Sequence, residues 1–159
     1  MSALLAQLEQ RVACSRRMLG IVLAQSEAIR AQDVEGVLAR LADVQVELVT
    51  LNRLELERDS LIAETAGRFA KRADEVVLED MLIGLPHADA ERARALSAEV
   101  QGLGVETARI HQQNQILIRQ ELAFLSHLMS IMSGSPQAGY LPGGWAPTQQ
   151  PGHTVDARA

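Results

Sequence analysis

Residues 2–30 contain no proline, and Leu4, Leu8, Val12, Leu19, Val22 and Ile29 recur at spacings of three, four or seven. Ser15 and Ser26 fill the missing steps of that stripe. Such a pattern folds as a long amphipathic helix with a coiled-coil-like seam, because only a helix brings those positions onto one face. Gly20 costs such a helix about 1 kcal/mol relative to alanine, so close approach of a neighbouring helix is one role for it. Ala31-Gln32-Asp33 is then too short to do more than reverse the chain, and Asp33 is a good N-cap. The next helix is expected from Val34 to about Phe69, antiparallel to the first, with an apolar stripe through Val34, Leu38, Leu41, Val44, Leu48, Leu51 and Ile62.

A short third helix is expected over about Glu75 to Ile83, capped by Asp74 and stopped by Gly84-Leu85-Pro86. Asp89 can open a last long helix that reaches about Met132. Gly102 and Gly104 either bend it or divide it in two. After Met132 the composition changes: residues 133–159 hold four of the five prolines and five of the 11 glycines. A segment with so few aliphatics cannot bury enough apolar surface to order itself, so a flexible tail is expected there. The fold class is therefore all-α: an elongated antiparallel helical bundle over 1–132, with a disordered C-terminal tail over 133–159.

Composition narrows the function. The chain is 47% hydrophobic but only 3% aromatic, so aliphatic residues must build nearly all of the core. The net charge is −5 and the basic residues are scattered. The pairs Arg16–Arg17 and Lys71–Arg72 are too short for the basic stripe that nucleic-acid binding needs. No apolar run approaches a membrane span, residues 1–11 do not resemble a signal peptide, and a cytoplasmic protein is expected. Cys14 is the only cysteine, which excludes an intramolecular disulfide or a redox pair. There is no phosphate-binding glycine loop, no His-Glu-x-x-His, and no Glu followed three residues later by His. His111 and His127 are 16 residues apart and cannot share a metal on one helix. No catalytic residue, metal site or cofactor is expected, and the chain does not read as an enzyme.

The informative segment is the end of the last helix. One stripe there passes through Ile110, Leu117, Phe124, Leu128 and Ile131, and a second through Ile118, Leu122, Leu125, Met129 and Met132. A helix that apolar must bury most of its faces. Either it lies centrally in the bundle, or part of it is a partner surface to which flexible methionines adapt. Asn114 sits on the first stripe, where a polar residue can set helix register or meet a partner.

Asn114, Leu117-Ile118, Leu122 and Phe124-Leu125, then an apolar helix end, a Gly/Ser break, Tyr140 and Gly143-Gly144, together resemble the FlgN family of flagellar export chaperones. Ala31-Gln32-Asp33-Val34-Glu35-Gly36-Val37-Leu38 is similar to that family's connection between its first two long helices. The order departs from the family at Leu141-Pro142, where glycine commonly follows the tyrosine directly. The resemblance implies a chaperone that binds hook–filament junction (hook-associated) proteins and delivers them to the flagellar type III export apparatus. It makes Asn114, Leu117, Phe124, Leu125, Leu128, Met129 and Met132 candidate substrate-protein contacts, and Tyr140 a candidate for docking at the export gate. The other classes consistent with the helical pattern are a coiled-coil scaffold and an adaptor acting through helix association. A homodimer stays open, because the seams can close within one chain or between two.

Overall fold

A computed structural model describes residues 3–132, and every element in it is helical. Helix α1 spans Ala3–Arg30, α2 spans Val34–Phe69, α3 spans Leu78–Leu82 and α4 spans His87–Met132, with a 3-10 turn at Ala73–Glu75. Packing divides the chain into two units, Met1–Leu122 and Ala123–Ala159, so the boundary falls within α4. The expected tail over 133–159, with Tyr140 and Trp145, lies outside the described residues.

In the first unit α1 is the central helix. Its buried positions include Leu4, Leu8, Val12, Val22 and Ile29 from the apolar stripe, together with Ser26, which fills a step of it. One side of α1 meets α2. Gln7 Nε2 donates to the Leu54 carbonyl at 3.1 Å, Arg11 pairs with Glu55, and Arg17 grips Glu47 with both its Nε and Nη2, at 2.7 and 3.0 Å. Numbers rise on one helix as they fall on the other, so the two are antiparallel. Leu54, 0% exposed, is the fully buried aliphatic of α2. A second side of α1 meets α4, where Arg92 reaches Glu9, Glu99 reaches Arg16, and Glu121 lies 3.4 Å from the Gln32 amide. Here the numbers rise together, and α4 runs parallel to α1. Leu4, Leu5, Leu8, Leu82, Ala90 and Ala93 close a cluster where α1, α3 and the start of α4 meet.

The α1–α2 reversal follows its sequence. Gln32 takes a left-handed φ of 55°, and Asp33 accepts from the Gly36 N–H at 2.9 Å. A Cβ on Gly36 would stand 2.3 Å from the Asp33 carboxylate, so glycine leaves room for the cap. Asp33→Ala is expected to cost about 1 kcal/mol, the usual value of an N-cap, with helix content retained. Chemical denaturation checks this; an unchanged midpoint would remove the cap from the account.

Several expectations are corrected. The third helix is not continuous from Glu75: a 3-10 turn ends there, Val76 and Val77 are extended, and α3 starts at Leu78. Asp80 sets that start, because its carboxylate accepts from the Val77 N–H at 3.0 Å and from Lys71 Nζ at 2.6 Å. The last helix begins at His87, two residues before Asp89, since the Pro86 carbonyl already accepts from Asp89 and Ala90. Of the two alternatives at Gly102 and Gly104, the undivided helix is the one found. Gly20 makes no close approach, as a Cβ there would meet nothing within 4 Å.

Arg17 holds the Glu47 carboxyl below its ordinary range, the hydrogen bond outweighing the opposing effect of burial. A lowered carboxylate contributes stability above its unfolded value of about 4.3, and that stability is lost as pH falls through the lower folded value. Glu47→Gln is therefore expected to lose about 1 kcal/mol at pH 7, the upper end for a partly exposed pair. Its stability should also fall less steeply than that of the parent below about pH 5. Parallel denaturation curves at every pH would refute the linkage.

Candidate partner-binding face

The residues singled out by sequence separate into two environments. Asn114 is 1% exposed and belongs to the interior of the first unit. Its Nδ2 donates to the Val22 carbonyl at 2.9 Å and to Gln25 Oε1 at 3.2 Å, while Ser26 Oγ donates to its Oδ1 at 2.5 Å. Both amide hydrogens and the amide oxygen are satisfied by α1. These three hydrogen bonds tie α4 to α1 at this position. Asn114 thus offers no surface to a partner in this arrangement. Leu117 is half-buried.

Phe124, Leu125, Leu128, Met129 and Met132 lie in the second unit, of which residues 123–132 are described. All five are exposed, Phe124 at 57%, Met129 at 70% and Met132 at 86%. Ile131 is exposed beside them and belongs to the same set. At about 100° per residue these six side chains occupy an arc of roughly 160°. Ala123, Ser126, His127 and Ser130 fill the rest of the turn. The segment is therefore amphipathic with its apolar face exposed among the described residues, none of which is fully buried in it. Ile131 stands seven residues after Phe124, on the same stripe.

The rest of the described structure presents little chemistry. No group of three or more His, Cys, Asp or Glu side chains among the described residues is placed to hold a metal. A cavity of about 280 Å³ in the first unit is walled largely by aliphatics such as Leu4, Leu8, Ile62 and Met81. Arg11 at its edge is paired with Glu55. Burial, then the hydrogen bond to Glu47, pushes the Cys14 thiol up, away from the thiolate that a nucleophile requires. No described helix is long and apolar enough to cross a membrane.

An exposed apolar helix face of this kind is a surface suited to binding another protein. The family model for the FlgN protein matches residues 1–147, and the chain belongs to the FlgN family of flagellar export chaperones. Comparison with curated proteins and with solved structures returned no match.

Proposed function

We propose that this chaperone works in the cytoplasm, binds the terminal helical segments of hook–filament junction proteins, and delivers them to the flagellar type III export apparatus. The observation that carries the reading is the exposed apolar arc from Phe124 to Met132, in a chain of this family. Phe124, Leu125, Leu128, Met129 and Met132, joined by Ile131, form the substrate contact. An amphipathic face can hold a partner segment that presents an apolar helical stripe by complementary packing. Covering it prevents premature association without nucleotide hydrolysis. Leu117, in the first unit, is a separate candidate contact, while the amide of Asn114 stays on α1. Tyr140 is the docking residue for the export apparatus.

The test is co-purification of the chain with the terminal segments of the two junction proteins, using full-length protein and a version ending at Met132. Capture by both forms supports a substrate site on the last helix. Capture by the full-length form alone moves the site beyond Met132, and capture by neither overturns the reading.

A further inference from the structure

We infer that residues 72–84 form a hinged strap that swings off and onto the base of the first unit as one piece, while α1, α2 and α4 stay folded. The ends of the segment are built as hinges. Among the described residues, positive φ occurs at Gln32 in the α1–α2 turn, at Ala70 (52°) and at Gly84 (90°), so the last two bracket the strap. Ala70 ends α2 in a left-handed conformation that its Cβ disfavours. Lys71 stays with α2, its N–H donating to the Ala66 carbonyl at 3.0 Å. Gly84 takes a conformation that glycine adopts at little cost. A Cβ there would meet nothing within 4 Å, so backbone conformation, not crowding, is the reason for glycine.

The strap holds together internally and grips the bundle lightly. Asp80 accepts from the Val77 N–H, and Arg72 and Glu75 bond each other through backbone and side chain. Within the strap only Asp80 and Leu82 are fully buried. Beneath it lies the cavity of about 280 Å³, with Val76, Leu78 and Met81 on the strap side and Leu4, Leu8 and Ile62 on the bundle side. Apolar surface that faces such a space makes no dispersion contacts there. Lifting this strap therefore costs less than separating a close-packed element.

Side chains from the bundle latch it. Lys71 Nζ pairs with Asp80 Oδ1 at 2.6 Å, and Arg68 Nη2 donates to the Ile83 carbonyl at 2.9 Å. Arg94 donates to Glu79 through Nε at 2.9 Å and Nη2 at 2.6 Å. Arg68 and Lys71 come from the end of α2 and Arg94 from α4, and all three are exposed. Long exposed side chains can release a partner to water without shifting the helix that carries them. Closed, the strap covers Leu4, Leu5, Leu8, Ala90 and Ala93 with Leu82; open, it uncovers that cluster. The fold thus carries a gate over an apolar patch, at the end of α1 remote from the α1–α2 turn.

Native-state amide hydrogen exchange on the full-length chain, without any client, tests this independently of the substrate assignment. The amides of Asp80, Ile83 and Leu85 donate to the Val77, Asp80 and Leu82 carbonyls. They should share one protection factor, at least about 100-fold below those of Val12 and Val22 in α1. Their exchange should also depend less steeply on urea, because opening the strap exposes less surface than unfolding the bundle. Lys71→Met should speed exchange at all three by the same factor, about tenfold, the effect of one charge-assisted hydrogen bond. Arg94→Met, on a different helix, should speed the same three together by about twofold to fivefold. Protection equal to that of Val12 and Val22 would mean that the strap opens only with the bundle. Factors that differ residue by residue, or that answer to one latch and not the other, would mean local fraying. Either result overturns the proposal.

Discussion

Replacing both Phe124 and Met129 by alanine is expected to weaken binding of the junction-protein segments by about 100- to 1,000-fold while leaving the chaperone folded. Burying one such side chain in a partner stabilises a complex by about 1.5–3 kcal/mol. Two together approach 3–4 kcal/mol, and each 1.4 kcal/mol is tenfold in Kd. The stability of the free protein should move by less than about 0.5 kcal/mol, because both side chains are more than half exposed and leave no internal cavity. His127→Ala, on the polar side of the same turns, serves as the control and should change Kd less than about twofold. Isothermal titration on the purified variants, with denaturation curves alongside, separates binding from folding. An unchanged Kd in the double variant would dissociate this face from the substrate.

The second large effect concerns the interior. Asn114→Ala is expected to destabilise the protein by about 2–3 kcal/mol, because buried polar partners then lose the amide that satisfied them. The Val22 carbonyl keeps its helical role and stays 3.1 Å from Ser26 Oγ, which loses one of its two acceptors, whereas Gln25 Oε1 loses its donor within a closed site. Ser26→Ala alone should cost about 1 kcal/mol, since it removes one hydrogen bond and leaves the amide hydrogens engaged. The two losses should not add: a double-mutant cycle is expected to give a coupling of about 1 kcal/mol, as for residues in one network. A loss below about 0.5 kcal/mol for Asn114→Ala would mean that α4 finds its register without this node. The two predictions make opposite demands on one helix. Substitution of Asn114 should cost stability, and substitution of Phe124 with Met129 should cost affinity.

Several features were legible before any coordinates. The boundaries of α1 and α2 follow from proline-free three-four spacing closed by Asp33, and both expected helices occupy those residues. The two apolar stripes of residues 124–132 were equally visible, because a helical period places Phe124, Leu128 and Ile131 together without reference to any neighbour, but the burial expected of most of their faces is not found: all six apolar side chains are exposed. The start of α3 was less so. Glu75, Val76 and Val77 continue a plausible helical pattern, and it was a tertiary pair, Lys71 with Asp80, that drew the Asp80 carboxylate to the Val77 N–H.

By itself, then, the sequence determined that the chain is helical, where its long helices turn, and which of their faces are apolar. Those properties depend on local periodicity and capping, which are complete within a few turns. Only the tertiary structure decided which apolar face is covered and by what. It made α1 the helix with neighbours on two sides, ran α4 parallel to it, and sent Asn114 inward to Val22, Gln25 and Ser26. It left the outer face of α2 and the arc from Phe124 to Met132 open. The physical reason is that hydrophobic burial is non-directional. Periodicity shows that a face favours leaving water, whereas its choice among several similar faces rests on packing and on the few polar groups that must find partners.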